Sequence, residues 1–585
     1  MIKTLKNLRK KDWLGIFVSI CFIVGQVWLD LKLPDYMSQI TTIVQNGGAV
    51  SEVMKNGAYM LLCALGSALM AVVVGFIVAK IAANLAKNLR CKIFNKVESF
   101  SSAEITKFST ASLITRSTND VRQVTMAIAM GMQVMIKAPI LAVWAIVKIL
   151  GKSFQWSIAT AAAVILMFVI ILIVVVFALP KFKKIQTLTD NLNRVTTEGL
   201  TGLKVVKAFN AENYQEKKFE GANESLTKNL LFTNRMMGIM NPSMTFIMNG
   251  LGLAIYWIGA YLISSAVGFD KAIVFSDMVV FSSYAMQVVM AFMMLTMIFI
   301  MLPRAIVSAK RINEVLDTKI SIKDGEFEGE TEKTGEIVFK NVSFSYPDAK
   351  ESVLKDINLE INKGETVAFI GSTGSGKSTL INLIPRFFDV TSGEILIDGV
   401  NVKSYTQKAL HNKIGYVPQR STLFSGDIKS NVVFGEHVGK TFLDEDVLKA
   451  LDEAKAGEFV GSLEKGVYSE VSEGGANFSG GQKQRLAIAR ALVHNAEIYI
   501  FDDSFSALDY KTDKALRKTL KKEMKESTVL IVAQRIGTIK NSDKIVVLDN
   551  GEIKGIGKHE ELMKNCEIYK QIAYSQLSEK ELKNE

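Results

Sequence analysis

Two different patterns of apolar and polar positions divide the chain near its middle. The first half carries six long apolar stretches, which we place at residues 13–33, 57–79, 128–150, 154–179, 239–265 and 272–302. A helix needs about 20 mostly apolar residues to cross the hydrocarbon core of a bilayer. The pattern therefore predicts a multi-pass membrane domain. The charged stretches between spans 2 and 3 and between spans 4 and 5 predict helices that continue far into the cytosol.

The second half alternates short β-rich runs with helix-forming ones. TVAFI, IYIF and VLIV are examples of the β-rich runs. This alternation is typical of an α/β domain. The predicted fold is thus a membrane α-helical domain of six transmembrane helices fused to an α/β domain. We set the boundaries at 1–12 for a cytosolic amphipathic segment, 13–316 for the membrane domain, 317–335 for a linker, 336–575 for the α/β domain, which the phosphate-binding loop described below predicts to be a nucleotide-binding domain, and 576–585 for a charged tail.

The net charge of +11 is distributed as in a membrane protein. Lys and Arg crowd the segment before the first span and the loop after the second, whereas residues 35–56 between these spans contain only Lys55. This asymmetry follows the positive-inside rule. We predict a multi-pass protein of the cytoplasmic membrane, with both termini in the cytosol and without a nucleic-acid partner. The four Cys residues show no metal-binding spacing, and we expect no disulfide.

A phosphate-binding loop follows the run TVAFI. The sequence GSTGSGKS has the spacing G-x4-G-K-S and precedes the helical stretch STLINLI. Glycines let backbone amides turn toward phosphates, and the N-terminus of the helix adds a positive end. Lys377 is expected to reach the outer phosphates of ATP, and Ser378 and Asp502 to bind Mg²⁺. The predicted loop residues are Gly371, Ser372, Thr373, Gly374, Ser375, Gly376, Lys377, Ser378 and Thr379.

A second motif points to a family. FSGGQ lies at Phe478–Gln482, between VSEGG and QRLAIARAL, and IYIFDD follows it. Together with the phosphate loop and the six spans, these motifs resemble the exporter branch of the ABC transporters. The resemblance implies an ABC-type ATPase that drives export as one half of a dimer, with ATP and Mg²⁺ as ligands. It also implies that the signature faces ATP bound to the opposite subunit, through Ser479, Gly480, Gly481 and Gln482.

The resemblance assigns further roles by position. Gln419 in YVPQ is expected to sense Mg²⁺ and the attacking water, and Tyr346 in FSYP to stack on adenine, although a core tyrosine is the alternative for Tyr346. The turns between the cytosolic extensions correspond to coupling helices that dock on ATPase domains. We place these turns near Ser101–Phe108 and near Ala211–Gln215.

Two catalytic positions depart from the family pattern. Asp503 stands where a Glu polarises the attacking water, and Gln534 where a His contacts the γ-phosphate. The shorter carboxylate lies about 1 Å from its required position, and a misplaced general base costs about 10²–10⁴ in rate. The Gln534 amide cannot carry a positive charge. The sequence therefore predicts a slow nucleotide site on this chain and a heterodimer, in which the intact signature completes a competent site on the partner. A slow homodimer is the alternative.

The transported compound is the least determined property. We predict export of small lipophilic or amphipathic compounds across the membrane, as in multidrug efflux; a lipid or peptide exporter and an ATP-gated channel or regulator are the alternatives. Within the spans, Lys137 either faces a transport cavity or pairs locally. Asp277 is expected near the outer end of the sixth span.

Overall fold

The computed structural model describes residues 2–150, 153–266, 270–329, 331–347, 349, 351–435 and 442–576. It contains two compact units. One runs up to Glu98 and from Ala111 to Thr318, and the other comprises Ser99–Thr110 and the chain from Lys319 onward. The short segment 99–110 therefore groups with the C-terminal unit, although it lies between two long helices of the first.

The first unit is entirely helical where it is described. Six of its helices are long and apolar enough to cross a membrane, which confirms the predicted fold of this half. Together with the segment that joins the other unit, the helices are α1 (Ile2–Leu5), α2 (Lys10–Gln45), α3 (Val50–Glu98), α4 (Ser102–Phe108), α5 (Thr110–Thr115), α6 (Val121–Ile149), α7 (Phe154–Thr201), α8 (Leu203–Ala208), α9 (Glu212–Ser265) and α10 (Asp270–Asp317). A π-helical turn, Arg116–Asp120, joins α5 to α6.

The long helices pack mainly in pairs: α2 with α3, α6 with α10, and α7 with α9. A core of large side chains joins three of them. Trp156 of α7 is buried, donates from its indole Nε1 to the carbonyl of Ile255 at 3.2 Å, and lies 5.4 Å from the ring of Phe281. A buried indole N–H needs such an acceptor, so this contact fixes the depth at which α7 packs against α9.

The first cytosolic turn lies where the sequence places it. Helix α4 begins at Ser102, and Ser101 and Glu104 form a capping box in which each side chain accepts the other's backbone N–H. The second position is wrong: Glu212–Gln215 are the first residues of α9, and the short helix is α8, Leu203–Ala208. Gly202 ends α7 and Asn210 has a left-handed φ of 49°. Both residue types commonly end helices, and they enclose α8.

The second unit contains a mixed sheet and an antiparallel sheet. The six-stranded sheet has the order β12-β11-β3-β10-β9-β6, parallel except for β12, and the four-stranded sheet has the order β2-β1-β4-β5. The strands are β1 (Ile337–Phe344), β2 (Leu354–Ile361), β3 (Thr366–Ile370), β4 (Ser392–Ile397), β5 (Val400–Asn401), β6 (Ile414–Val417), β7 (Gly426–Asp427), β8 (Glu470–Val471), β9 (Ile498–Asp502), β10 (Thr528–Val532), β11 (Lys544–Asp549) and β12 (Glu552–Gly557).

Helices cover the larger sheet, so its central strands are buried on both faces. In β9, Ile498 and Ile500 belong to one hydrophobic cluster, whereas Tyr499 and Phe501 belong to another. This burial explains the continuous apolar run IYIF, since a half-exposed strand alternates instead. The helices of this unit are α11 (Lys377–Asn382), α12 (Gln407–Asn412), α13 (Ile428–Val432), α14 (Asp444–Glu453), α15 (Gly457–Gly461), α16 (Gly480–Leu492), α17 (Tyr510–Glu523), α18 (Ile536–Ile539), α19 (His559–Asn565) and α20 (Glu567–Gln576).

The described part of the chain ends inside the region for which we predict a charged tail. Gln576, the first residue of that region, is the last residue of α20, and the remaining tail residues lie outside the described ones. Between α10 and β1 the chain is irregular apart from an isolated bridge, Phe327 to Tyr405, with residue 330 outside the description.

Candidate functional site

Four neighbouring parallel strands end at the same edge of the larger sheet. Beyond β3 lies the phosphate loop, beyond β9 lies Asp503, beyond β10 lies Gln534, and beyond β6 lies Gln419. In α/β sheets, ligands bind at the carboxyl ends of the strands where such loops meet. The topology therefore brings together catalytic candidates that are up to 163 positions apart (534 minus 371).

The phosphate loop already has a phosphate-binding shape. Gly374 and Gly376 have left-handed φ angles of 84° and 99°, and a Cβ on Gly376 would lie 2.8 Å from Leu354 Cδ2. Lys377 begins α11, and its Nζ donates to the carbonyls of Gly371 at 2.9 Å and of Ser372 at 2.7 Å. The ammonium thus occupies the centre of the loop. Burial lowers the pKa of Lys377, and the nearby charges of Asp503 and Asp502 oppose this shift.

Ser378 and Asp502 form the oxygen-rich side of the loop. The Ser378 hydroxyl donates to Asp502 Oδ1 at 2.9 Å. Burial raises the pKa of Asp502, and the hydrogen bond from Ser378 acts against this rise. No three His, Cys, Asp or Glu side chains cluster as a metal site among the described residues. Mg²⁺ bound to a nucleotide keeps waters and phosphate oxygens as ligands and needs only one or two protein oxygens. Ser378 and Asp502 fit that requirement.

The two residues that depart from the family pattern contact each other. Gln534 donates from its amide Nε2 to Asp503 Oδ2 at 2.9 Å, and Gln419 Nε2 lies 3.4 Å from the same oxygen. Asp503 has a left-handed backbone, with φ 49°, a conformation in which Asp is enriched. Burial raises its pKa, and hydrogen bonds from Gln419 and Gln534 act in the opposite direction. The three side chains form one polar group at the sheet edge, which we call the Asp503 group.

Tyr346 lies beside the phosphate-loop helix. Its hydroxyl is 3.0 Å from Thr379 Oγ1, and its ring packs edge-on against Phe344 and Phe388 with centroids 4.9 Å and 5.2 Å away. The side chain is half-buried. A role in adenine stacking therefore stays a prediction, and Tyr346 also supports the edge of the smaller sheet.

The signature residues begin α16. Ser479 is the N-cap: its hydroxyl accepts from the backbone N–H of Gln482 at 3.3 Å, and Gln482 Oε1 accepts from the backbone N–H of Ser479 at 2.8 Å. This capping box sets the direction of a 13-residue helix. Phe478 is buried, whereas Ser479 and Gly480 are exposed. A positive helix end thus faces solvent within the second unit, as an anion-binding site requires.

Sequence reasoning missed one contact of the candidate site. The side chain of Gln576, in α20, hydrogen bonds to the backbone on both sides of Arg535, next to Gln534. Gln534 and Gln576 are 42 positions apart, and no motif links them. They come together because α20 packs beside α18, the short helix that follows Gln534.

In the membrane-spanning unit, Lys137 pairs with another helix. Its Nζ lies 3.0 Å from Asp30 Oδ2, and Ser67 of α3 also donates to the Asp30 carboxylate. A second ion pair also joins α6 to α2, with Lys148 Nζ 2.8 Å from Asp35 Oδ2. Of the two roles open for Lys137, the structure shows the local pair. Asp277 lies in the first turns of α10.

Pro34 lies between the two carboxylates and interrupts the hydrogen bonds of α2, because proline has no backbone N–H. The carbonyl that Pro34 leaves without its helical donor is that of Asp30, and Gln287 Nε2 of α10 lies 3.4 Å from it. The Tyr284 hydroxyl of α10 also lies 3.1 Å from the neighbouring carbonyl of Leu31. Neighbouring helices commonly satisfy such groups in membranes. Charged and polar side chains thus join α2 to α3, α6 and α10.

Comparison with known proteins places both units in one family. The family described as "ABC transporter transmembrane region" matches residues 16–314, and the family described as "ABC transporter" matches residues 354–506. An uncharacterized ABC transporter ATP-binding protein of Mycobacterium tuberculosis (strain CDC 1551 / Oshkosh) is 36% identical over 93% of each chain. An ATP-dependent lipid A-core flippase of Pseudomonas fluorescens (strain Pf0-1) is 31% identical over 85% of this chain and 81% of its own.

A solved structure extends the similarity to the whole architecture. A bacterial Atm1-family ABC exporter with ATP bound has 25% sequence identity to this chain and a TM-score of 0.79, covering 97% of this chain and 99% of that one. The similarity to this exporter thus covers the membrane-spanning helices of the first unit and the nucleotide-binding fold of the second. The chain belongs to the ABC transporter family, as a multi-pass half-transporter of the exporter type whose ATPase domain binds and hydrolyses ATP to drive transport across the cytoplasmic membrane.

Proposed function

We propose that this chain is one half of a heterodimeric exporter of lipophilic or amphipathic compounds, with a slow ATP site of its own. The contact between Asp503 and Gln534 carries the proposal. The two departures are complementary, because the Gln534 amide is a donor and the Asp503 carboxylate an acceptor, which supports the interpretation that the site has changed as a unit.

The contact also supports slow hydrolysis at this site. A general base needs a free carboxylate oxygen directed at the attacking water. The Oδ2 atom of Asp503 instead accepts from Gln534, with Gln419 close by. Gln534 remains neutral at every pH, so it cannot supply the positive charge of a His to the γ-phosphate. Both features slow the chemistry and leave the phosphate loop intact.

ATP binding itself is supported by the rest of the site. The backbone amides of the loop and the Lys377 ammonium bind the phosphates, Tyr346 stacks on adenine, and Thr379 lies beside it. Ser378, Asp502 and Gln419 would hold Mg²⁺, and that ion would supply positive charge to the phosphates. Because Lys377 already donates to carbonyls of its own loop, phosphate binding exchanges these bonds for stronger charge-assisted ones.

Two exposed features support a partner chain. The signature residues Ser479 and Gly480 face solvent at a helix N-terminus. The end of α7 and the following turn also expose large apolar side chains that are unusual on a soluble surface, namely Leu200, Leu203, Val205, Phe209 and Tyr214. A second half-transporter covers both features: its bound ATP meets the signature, and its ATPase domain receives the apolar turn. The slow site then favours a heterodimer, because a homodimer would contain two slow sites and no competent one.

The N-terminus is bound to the cytosolic end of the membrane domain. Lys3 Nζ lies 2.9 Å from Asp317 Oδ2, and Asn313 Nδ2 lies 3.2 Å from Thr4 Oγ1. Asp317 ends α10, from which the chain enters the ATPase domain. Since ATP is cytosolic, we place both termini in the cytosol.

A lipid is the second candidate substrate. The lipid A-core flippase of P. fluorescens covers most of the chain at 31% identity, which favours an amphipathic lipid over a peptide. Inverted membrane vesicles that contain the exporter should accumulate the transported compound only with ATP. A fluorescent phospholipid and a cationic dye distinguish the two substrate classes, and passive equilibration without ATP-dependent accumulation indicates a channel.

Purified alone, the full-length chain should hydrolyse ATP at less than about a tenth of the rate of the assembled heterodimer, because general-base catalysis supplies about 10²–10⁴ in rate. Phosphate release in nanodiscs measures both rates. A Lys377→Ala variant, which removes the phosphate-binding ammonium, sets the background from contaminating ATPases. A Lys377-dependent rate that equals that of the heterodimer contradicts the proposal.

The intramembrane pair predicts coupled stability effects. Lys137→Met and Asp30→Asn should each destabilise the membrane domain, and the double variant less than their sum, because each single change leaves one polar group unpaired. We expect a coupling energy of about 0.5–2 kcal/mol, as for polar pairs between membrane helices. Unfolding in mixed micelles measures it. Lys55→Met, at an exposed lysine that forms no ion pair with the described residues, is the matched control. Strict additivity contradicts the pairing.

A further inference from the structure

Gln576 forms a two-point contact with the loop that carries Gln534. Its Nε2 donates to the carbonyl of Gln534 at 2.7 Å, and its Oε1 accepts from the backbone N–H of Ile536 at 2.9 Å. A primary amide offers one donor side and one acceptor side, and so it can pair with a backbone segment as another strand does. Arg535, between the two bonded groups, has the extended conformation that directs both toward one side (φ −111°, ψ 126°).

The contact replaces a missing helix cap. Ile536 is the first residue of α18, where backbone N–H groups have no partner within the helix. Arg535, at the N-cap position, makes no side-chain hydrogen bond to the helix. Gln576 therefore supplies, from 40 positions away, an acceptor for the first of these N–H groups.

The core holds Gln576 in place. Tyr569, Ala573 and Gln576 recur at the i, i+4, i+7 spacing of one helix face, and Tyr569 and Ala573 are fully buried. The Tyr569 hydroxyl also lies 2.7 Å from His559 Nδ1. The side chain of Gln576 is exposed, so its amide adds little to the buried core. Its two hydrogen bonds act on the Gln534 loop.

We propose that Gln576 is a positioning residue for this chain's ATP site. It fixes the backbone of Gln534, which keeps the Gln534 amide against Asp503 at 2.9 Å. The C-terminal helix thus sets the geometry of the Asp503 group, and movement of α20 changes how that group meets the nucleotide. This inference rests on the proposed position of Gln534 beside the γ-phosphate.

The first test does not depend on nucleotide. Hydrogen exchange of residues 533–540 is measured in the full-length chain in nanodiscs, comparing the native sequence with Gln576→Ala and Gln576→Glu. Glu keeps an acceptor but places a carboxylate against the Gln534 carbonyl. Both variants should accelerate exchange at the Ile536 amide about three- to tenfold, the range expected for one lost hydrogen bond. Gln571→Ala, at another exposed glutamine of α20, is the matched control and should change nothing. Unchanged exchange in both Gln576 variants overturns the contact.

The second test asks whether the contact affects hydrolysis. Single-turnover cleavage of radiolabelled ATP should accelerate about two- to threefold in Gln576→Ala with the affinity for ATP unchanged, because a loosened Gln534 amide frees Asp503 Oδ2, and Gln576→Glu should have the same effect. In a Gln534→Ala background, Gln576→Ala should add no further gain, since the positioned side chain is absent. An equal gain in that background, or no gain at all, overturns the positioning role. A fast native rate contradicts the slow-site proposal but leaves these comparisons valid.

Discussion

Replacing Gly480 with Asp should abolish most of the ATP hydrolysis of the assembled exporter. Gly480 is the first residue of α16, at an exposed and positive helix end, and a side chain there meets no other atom within 4 Å. We therefore expect the variant to fold, but in the proposed heterodimer it places a carboxylate where the partner's ATP presents its γ-phosphate. Removing one stabilising group from such a site costs about 10²–10³ in rate, and we expect a loss of at least about 10². Phosphate release by the purified heterodimer measures it.

Two comparisons make this result specific. Gly461→Asp introduces the same charge at an exposed glycine of α15 that also has open space, and it should leave hydrolysis unchanged. Asp503→Asn removes the carboxylate of this chain's own site, keeps a residue type that tolerates the left-handed backbone, and should lower the rate less than about threefold. Equal losses from Gly480→Asp and Asp503→Asn contradict the asymmetry of the two sites and indicate a homodimer.

Much of the fold follows from the sequence because it depends on local signals. Apolar stretches of bilayer length predict all six spanning helices, and the β-rich runs predict the central strands. The wrong position for the second cytosolic turn, near Ala211–Gln215, rests on position along the chain alone. Gly202 and Asn210, two residue types that are common at helix ends, mark the true bounds of α8. Weighing those two residues would have located it.

The candidate site was only partly predictable. Motif spacing identifies Lys377, Ser378 and Asp502, because each lies at the end of a recognisable strand or at the start of a helix. The Asp503–Gln534 contact depends on the sheet order, in which β9 and β10 are neighbours, and the sequence does not specify strand order. Gln576 depends on how α20 packs. Contacts between distant segments are tertiary properties, and no local pattern encodes them.

Restoring the family residues at both positions should accelerate hydrolysis at this chain's site more than the two single changes together. Gln534 Nε2 is 2.9 Å from Asp503 Oδ2, so a Glu, which is one methylene longer, meets the Gln534 amide before it reaches the attacking water. Gln534→His alone adds a group that can be charged, but leaves the base too short. We expect about 10–10² in rate from Asp503→Glu with Gln534→His, within the range of general-base catalysis, and less than about threefold from either change alone.

Hydrolysis at this site is measured alone by disabling the partner's site. In the partner, the Glu that follows the Mg²⁺-binding Asp is replaced by Gln. Asp356→Glu is the control for backbone strain, because Asp356 is exposed and has a similar left-handed φ of 46°. Additive single effects contradict a direct dependence between the two positions.

Faster turnover need not improve transport, and this distinguishes a functional slow site from a decayed one. If the Asp503 group holds ATP in place while the partner site cycles, trapped nucleotide should remain on this chain's phosphate loop after the other site has released its product. The double variant should then shorten the retention time of ATP and lower the amount of compound moved for each ATP hydrolysed. Nucleotide trapping with a photoreactive ATP analogue measures the retention time of ATP. The ratio of compound accumulated in vesicles to phosphate released measures the amount moved for each ATP hydrolysed. Rapid, equal exchange at both sites of the native heterodimer contradicts a holding role, and the Asp503–Gln534 pair then has no function in coupling.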